Sequence, residues 1–486
     1  MRRGHEKTPD EMGRFERRTL DRFERTQKWL DERLGTTSFA RVALRTVFPD
    51  HWSFLLGEIA LYCLVVLIFT GVFLTFFYTP DTREVVYNGA YAPLKGERVS
   101  AAYNSTMRLS FEVKAGLIMR QTHHWATLVF LAAIVVHLCR VFFTRAFRRP
   151  RELNWVIGVV LLLLAMAEGL TGYWLPDDLL SGVSMHIGYS VIFAIPVIGT
   201  WAAFLLFGGE FPTPDMISRF SVFHIFLIPA LLITLVGVHI AIVVLQKYTQ
   251  FPGPGRTERN VVGSRLWPQH AFKSVSLLLL VAGVCAGLGG LAQINPVWQS
   301  GPFKVANVTS PAQPDWYLGW VDGLLRLSGP WSFKVFGYTV SENFWPAILF
   351  PGLAFGVITL WPWIERRLTG DRAEHHLLDR PRDAPAHTAT GLAGLLLFFI
   401  PFLASGNDIM AVLLHVPVET ITRILRYAFF IAPVLTWLVA FWVCRSLRAT
   451  QVHPATPTAG VRLRRTPSGG YETSWPDPGS SPRHVE

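Results

Sequence analysis

The sequence predicts an all-α fold: a polytopic membrane protein with eight transmembrane helices, an N-terminal four-helix bundle followed by a C-terminal four-helix part. Hydrophobic residues supply 51% of the 486 and charged residues only 16%, at a mean hydropathy of +0.33. That is too apolar for soluble domains, and it excludes disordered, fibrous and disulfide-scaffold chains. The apolar residues fall in blocks close to the roughly 20 needed to cross a bilayer core of about 30 Å. The third observation is where the charge sits. Of the 45 lysines and arginines, 33 lie in segments that an eight-span reading puts on one side, the pattern of a cytoplasmic face. The net charge of +11 therefore reports membrane topology and calls for no nucleic-acid partner.

Taken in order, residues 1–54 are a cytoplasmic basic arm without the apolar stretch of a cleavable signal. Phe15, Phe23 and Leu30 among arginines fit a helix on the inner leaflet, and equally a solvated charged arm. Spans are expected at 55–77, 122–139, 155–175 and 222–245, the bundle within residues 55–250. The C-terminal part, residues 251–445, holds spans at 275–294, 344–363, 389–404 and 425–444. The apolar stretch Val191 to Phe207 is long enough for a ninth span, but a crossing there would put the later basic loops on the wrong side. With Pro196 in its middle it reads as part of an interfacial hairpin, about 177–215. Residues 446–486, rich in Pro, Ser, Gly and Thr, are expected to be a disordered cytoplasmic tail. Cys63, Cys139, Cys285 and Cys444 lie in or at the ends of apolar spans and read as small core residues.

Ionisable residues inside a membrane are functional candidates, because burying them there is costly. The second span holds His123 and His137, 14 apart, and the fourth holds His224 and His239, 15 apart. On a helix, 14 steps return to within about 40° of the starting face and advance about 21 Å; 15 steps miss by about 60°. Each helix thus presents two imidazoles on nearly one face. Both helices run in the same direction, so His123 faces His224 toward the outer side and His137 faces His239 toward the inner. Any one of these histidines alone is more simply a hydrogen-bonding group between helices; two registered pairs suit two bis-imidazole metal centres. His124 competes with His123, and spacing barely separates them.

Glycines repeat the pattern. Gly57 and Gly71 in the first span, and Gly158 and Gly172 in the third, are each 14 apart. Ordinary small-residue helix packing would explain one pair. Two pairs sharing the histidine repeat favour a flat macrocycle, a haem, at each of two depths. Arg120, Arg140 and Arg219 lie three or five residues from a histidine at membrane edges, where a guanidinium pairs a haem propionate or anchors the helix in the interface.

These residues resemble cytochrome b of the quinol:cytochrome c oxidoreductase (cytochrome bc) complexes, most of all its longer actinobacterial form, over about residues 45–445. The marks are Arg120-Gln121-Thr122-His123 through Arg140, Gly172-Tyr173-Trp174-Leu175-Pro176, Ile195-Pro196-Val197-Ile198-Gly199, Arg219 through His224, and Pro314-Asp315-Trp316-Tyr317. The resemblance assigns the ligand role to His123 rather than His124. It implies two b haems, an outer one on His123 and His224 and an inner one on His137 and His239. It also implies quinol oxidation at an outer pocket, one electron passing to a Rieske iron–sulfur protein and the other crossing both haems to an inner quinone. Inward transfer works against a membrane potential of about 2.3 kcal/mol per charge per 100 mV, so the outer haem must be the stronger reductant. The implied partners are the Rieske protein, a c-type cytochrome subunit, a terminal oxidase in a supercomplex and a second copy of the complex, all in a bacterial cell membrane.

Two departures from the family stand out. The usual outer Pro-Glu-Trp-Tyr is Pro-Asp-Trp-Tyr here, so Asp315, one methylene shorter, is the expected proton acceptor, with Tyr317 beside it. At the inner pocket a histidine of many relatives is Val244, and the aspartate of their Lys-Asp pair is Ser274. His270 and Lys273 are then the expected proton donors. Glu168 is a buried acid that either relays protons near the outer pocket or pairs with an arginine. Two rivals compete: a diheme anchor of another membrane dehydrogenase, which leaves Pro314 to Tyr317 and the last four spans unexplained, and a transporter relaying protons through its histidines, which would show no haem absorption.

Overall fold

The computed structural model describes residues 14–35, 37, 44–307, 313–450, 462–465 and 471–474. An amphipathic helix α1 (Arg14–Leu34) comes first. Among the described residues eight helices are long and apolar enough to cross a membrane, and all eight expected spans fall on them: α2 (Trp52–Thr75), α4 (Gly116–Phe143), α5 (Glu152–Trp174), α8 (Met216–Gln246), α9 (Leu266–Leu291), α11 (Trp345–Thr369), α12 (Pro385–Ser405) and α13 (Val418–Ala449). Between them lie α3 (Ala101–Phe111), the pair α6 (Leu179–Phe193) and α7 (Gly199–Phe207), and α10 (Trp316–Leu327). We call the end nearest α1 the arm side and the opposite end the far side.

Helix α4 is the centre, packed against α2, α5 and α9 and touching α10. Cys63, Leu131 and Cys285 are fully buried where α2, α4 and α9 meet. Glycine lets these apolar cylinders close: a Cβ at Gly289 would lie 2.5 Å from the Thr122 hydroxyl, and one at Gly323 would strike the Pro401 carbonyl. Phe69, Phe226, Leu279 and Trp442 remain exposed on the outer faces, as lipid-facing side chains do.

The 191–207 stretch is not one membrane-length helix. The chain turns between α6 and α7 through Pro196, and Gly199 comes close to the Phe193 carbonyl. Phe207 packs on Trp174 and Phe220 beneath it.

On the arm side the short basic loop is internally spent. Arg145 bridges Glu365 (2.6 Å) and Asp379 (2.7 Å), and Arg148 also holds Asp379 at 3.0 Å. Arg151 donates to the carbonyls of Gln246 and Lys247, where α8 ends and its carbonyls lack helical partners, and to that of His375. Residues Val47–Pro49 pair antiparallel with Gly263–Arg265, fixing the arm's end beside the start of α9. In the tail, Arg462–Arg465 pairs with Tyr471–Ser474; the rest of that expected disorder lies outside the described residues.

Helix α8 contains a π turn, Phe223–Leu227, in which the Ile228 N–H reaches the Phe223 carbonyl just ahead of Pro229. A π turn absorbs one extra residue relative to an α turn. The 15 residues from His224 to His239 therefore do the angular work of 14, and α8 falls into the register of α4.

Candidate functional site

The four helices bring the histidines together in two tiers. On the far side the rings of His123 and His224 have centroids 6.1 Å apart and planes at 80°. Metal–imidazole bonds of about 2 Å, with about 1 Å more from nitrogen to ring centre, would set two rings about 6 Å apart. Their tautomers are fixed. The Thr70 hydroxyl donates to the Val66 carbonyl at 2.7 Å, so its oxygen accepts from His123 Nδ1–H at 2.9 Å. His224 Nδ1 lies 3.0 Å from the Glu168 carbonyl, which can only accept. Both Nε2 atoms are thereby left unprotonated, the form that binds a metal.

Each glycine of the 14-residue repeat backs one histidine. A Cβ at Gly71 would lie 3.3 Å from the His123 ring, at Gly172 2.4 Å from His224, at Gly57 3.2 Å from His137 and at Gly158 3.8 Å from His239. The arm-side pair, His137 and His239, lines a largely apolar cavity of about 840 Å³. Its polar rim carries two unsatisfied nitrogens of Arg140, Nε and Nη2, and on the far side Arg120 Nε is likewise buried without a partner among the described residues. Flat backbone cradles, imidazoles and orphaned guanidinium nitrogens fit a haem with its propionates at each tier.

Arg219 differs from Arg120 and Arg140 in having no buried nitrogen without a partner among the described residues. It is exposed and donates to the Leu205 carbonyl at 2.8 Å, steadying the α6–α7 hairpin.

Beside the far-side pair, Asp315 stands at the N-cap of α10, yet its carboxylate makes no capping bond. It meets His124 Nε2 at 3.1 Å instead. His124 is thus the partner of Asp315. The Tyr317 hydroxyl is buried without a hydrogen-bond partner among the described residues, and it lies where a Cβ on Gly169 would be 2.5 Å away. Burial, then the Asp315 carboxylate, push its ionisation well above the usual phenol range, which keeps it a donor. Glu168 Oε1 lies 3.1 Å from the same His224 Nδ1 and shares its one hydrogen with the Glu168 carbonyl, and Glu168 meets no arginine among the described residues.

On the arm side, His270 stacks on Phe48 and meets the Glu58 carboxylate at 3.1 Å. Lys273 holds Asp50 at 2.8 Å. Burial raises the Asp50 carboxyl, but bonds from Lys273 and Ser264 outweigh it and hold the group below its usual range. Val244 and Ser274 both line this cavity. Sequence reasoning missed Glu58, although an acid one residue from Gly57 inside a span was a visible signal. It also took His124 only as a rival ligand.

Fold and site together define a multi-pass membrane protein with paired intramembrane imidazoles. The sequence signature of the family described as Cytochrome b(N-terminal)/b6/petB matches residues 128–302. The chain is 46% identical over 426 residues to the cytochrome bc1 complex cytochrome b subunit of Streptomyces coelicolor, covering 87% of this chain and 78% of that one. It is 47% identical over 447 residues to the subunit of the same name from Mycobacterium tuberculosis, covering 91% and 81%. A solved structure titled Hyperthermophilic respiratory Complex III superposes with a TM-score of 0.61 at 18% identity, over 85% of this chain and 99% of that one, and shares the fold. The chain belongs to the cytochrome b subunits of cytochrome bc1 complexes, the haem-b-binding membrane subunits of quinol:cytochrome c oxidoreductases.

Proposed function

We propose that this chain is a diheme cytochrome b that oxidises a membrane quinol on the far side and reduces a quinone on the arm side, contributing to proton-motive force. The observation that carries the reading is the two-tiered set of histidine pairs, each backed by glycine and each beside its own polar pocket. His123 and His224 hold the outer haem, His137 and His239 the inner. Arg120 pairs an outer propionate and Arg140 an inner one. Bound haem supplies one-electron carriage through the membrane's thickness.

The chain's own residues handle the protons. His124 holds Asp315 in the pocket, half-buried and free of its helix cap, where it accepts a quinol proton. The neutral Tyr317 hydroxyl donates a hydrogen bond that orients the substrate. On the arm side His270 and Lys273 serve the quinone pocket. One quinol electron leaves to a Rieske iron–sulfur partner and a c-type cytochrome subunit; the other crosses to the arm side. The arm side is the cytoplasm, with both termini there, in a bacterial cell membrane. A terminal oxidase supercomplex and a two-copy assembly complete the expected partners.

The test is a redox-titrated visible spectrum of the purified complex. Two b-type transitions of unequal potential are expected; a single transition, or none, refutes the reading.

A further inference from the structure

The arm-side cavity holds an acid that no step above employs. Glu58 sits on α2 within a membrane span, one residue beyond the glycine that backs His137. A carboxyl group in a bilayer persists where something repays its cost. Here three donors converge on it from two helices: His270 Nε2 at 3.1 Å, Ser274 Oγ at 2.9 Å and the Tyr62 hydroxyl at 3.3 Å. The Tyr62 and Ser274 hydroxyls are also in contact with each other, so the four side chains form one connected network across α2 and α9, in which the two hydroxyl hydrogens fill two of the three oxygen–oxygen contacts at a time.

The network has an apolar side and a wet side. Inward, it lines the cavity of about 840 Å³ shared with His137 and His239. Outward lies the ion pair of Lys273 and Asp50, side chains 54% and 47% exposed, with Ser264 bonded to both. The other charged or titratable groups facing the cavity are Arg140, Arg151, His51, Lys247 and Tyr248, and Glu58 is the cavity's one carboxyl group besides Asp50. His270 is stacked on Phe48 and so held in one orientation.

We propose that Glu58 is the proton donor to the quinone reduced on this side, with Ser274, Tyr62 and His270 as its positioning residues. The inference rests on the function proposed above and names its inner acid. Reduction of a quinone to a quinol takes two electrons, which that function delivers here, and two protons, one for each carbonyl oxygen as C=O becomes C–OH. Glu58 gives its carboxyl proton to the nearer oxygen, and the three donors receive the charge left behind. The second oxygen takes its proton from water at the mouth bordered by Lys273 and Asp50. Water at the same mouth returns a proton to Glu58, and the cycle closes.

The experiment uses the whole complex carrying Glu58→Gln, and the same variant with Ser274→Asp added. Ser274 Oγ is already in hydrogen-bond contact with the Glu58 carboxylate, so an aspartate there returns an acid to the same spot. The readouts are the rate at which the pre-reduced inner haem is reoxidised by an added naphthoquinone, and the carboxyl band in the infrared difference spectrum of the complex on reducing bound naphthoquinone. Glu58→Gln is expected to slow reoxidation by roughly 100-fold and to remove the band, with both b-type transitions retained. Adding Ser274→Asp restores the rate and a carboxyl band. A Glu58→Gln complex that keeps both transitions, the band and a rate within about two-fold of wild type overturns the proposal. Failure of the underlying function looks different: wild type itself would lack two transitions.

Discussion

Replacing Gly172 by alanine should empty one tier of the bundle and spare the other. The added Cβ would lie 2.4 Å from His224 Cε1 and 2.9 Å from both ring nitrogens, about 1 Å inside ordinary contact at 3.4 Å. The ring has nowhere to go. Its Nδ1 is held by the Glu168 carbonyl at 3.0 Å, and the His123 ring stands nearly perpendicular to it with centroids 6.1 Å apart. Overpacking of this kind costs about 1–3 kcal/mol, and a 1 Å retreat is half of a metal–imidazole bond of roughly 2 Å. Gly158→Ala is the internal control, because its Cβ would meet His239 at 3.8 Å, an ordinary contact. Gly57 and Gly71, at 3.2 and 3.3 Å, ask for a shift of only a few tenths of an ångström. Potentiometric titration of the α-band in the purified complex reads the outcome. Gly172→Ala should lose or displace the transition of the His123–His224 tier alone, and Gly158→Ala should keep both. Wild-type transitions in Gly172→Ala, or a lost tier in Gly158→Ala, would refute the reasoning.

Asp315→Asn keeps the side chain's shape but cannot accept a proton. Quinol oxidation should fall by about 10²-fold or more with both b-type spectra unchanged, and wild-type turnover would remove the role. Asp177, at the end of α5, is pushed up to about 6 by burial first and by Asp178, against a bond from Ser100. An acid that holds its proton more tightly when folded is stabilising below its unfolded value and loses that contribution as pH rises through 6, here by up to about 3 kcal/mol. Asp177→Asn should therefore melt higher than wild type above pH 6, with the gap closing toward pH 4; a gap independent of pH contradicts the assignment. Arg145→Ala leaves Glu365 and Asp379 facing each other without their bridge. A loss of about 3–5 kcal/mol is expected, visible as a lower melting temperature with an unaltered α-band. A change no larger than that of an exposed arginine would show the bridge to be idle.

The eight spans were legible because a bilayer allows few solutions and hydropathy marks the helices, and the chain at Pro196 forms two short helices in place of a ninth membrane-length one. The histidine tiers were legible for a related reason, since helix periodicity turns spacing into direction. What escaped the sequence depended on contacts between distant segments. His124 and Asp315 are 191 residues apart, and nothing local says that the carboxylate leaves its helix cap for an imidazole. Glu58 and Ser274 lie 216 apart, and the network they share exists only once α2 and α9 are packed. The register of α8 was hidden too, because helical arithmetic assumes α turns throughout and the π turn at Phe223–Leu227 breaks that assumption.

That break bears on how such chains are aligned. The π turn at Phe223–Leu227 stores a surplus residue at the head of α8. Shortening the chain by one there would merely relax the helix to regular winding and leave His239 aimed as before. The same deletion a few residues later would swing His239 by about 100°. Length variation among homologues should therefore be admitted upstream of Pro229 and forbidden between it and His239, and an alignment that places its gap elsewhere in this helix will pair the wrong side chains.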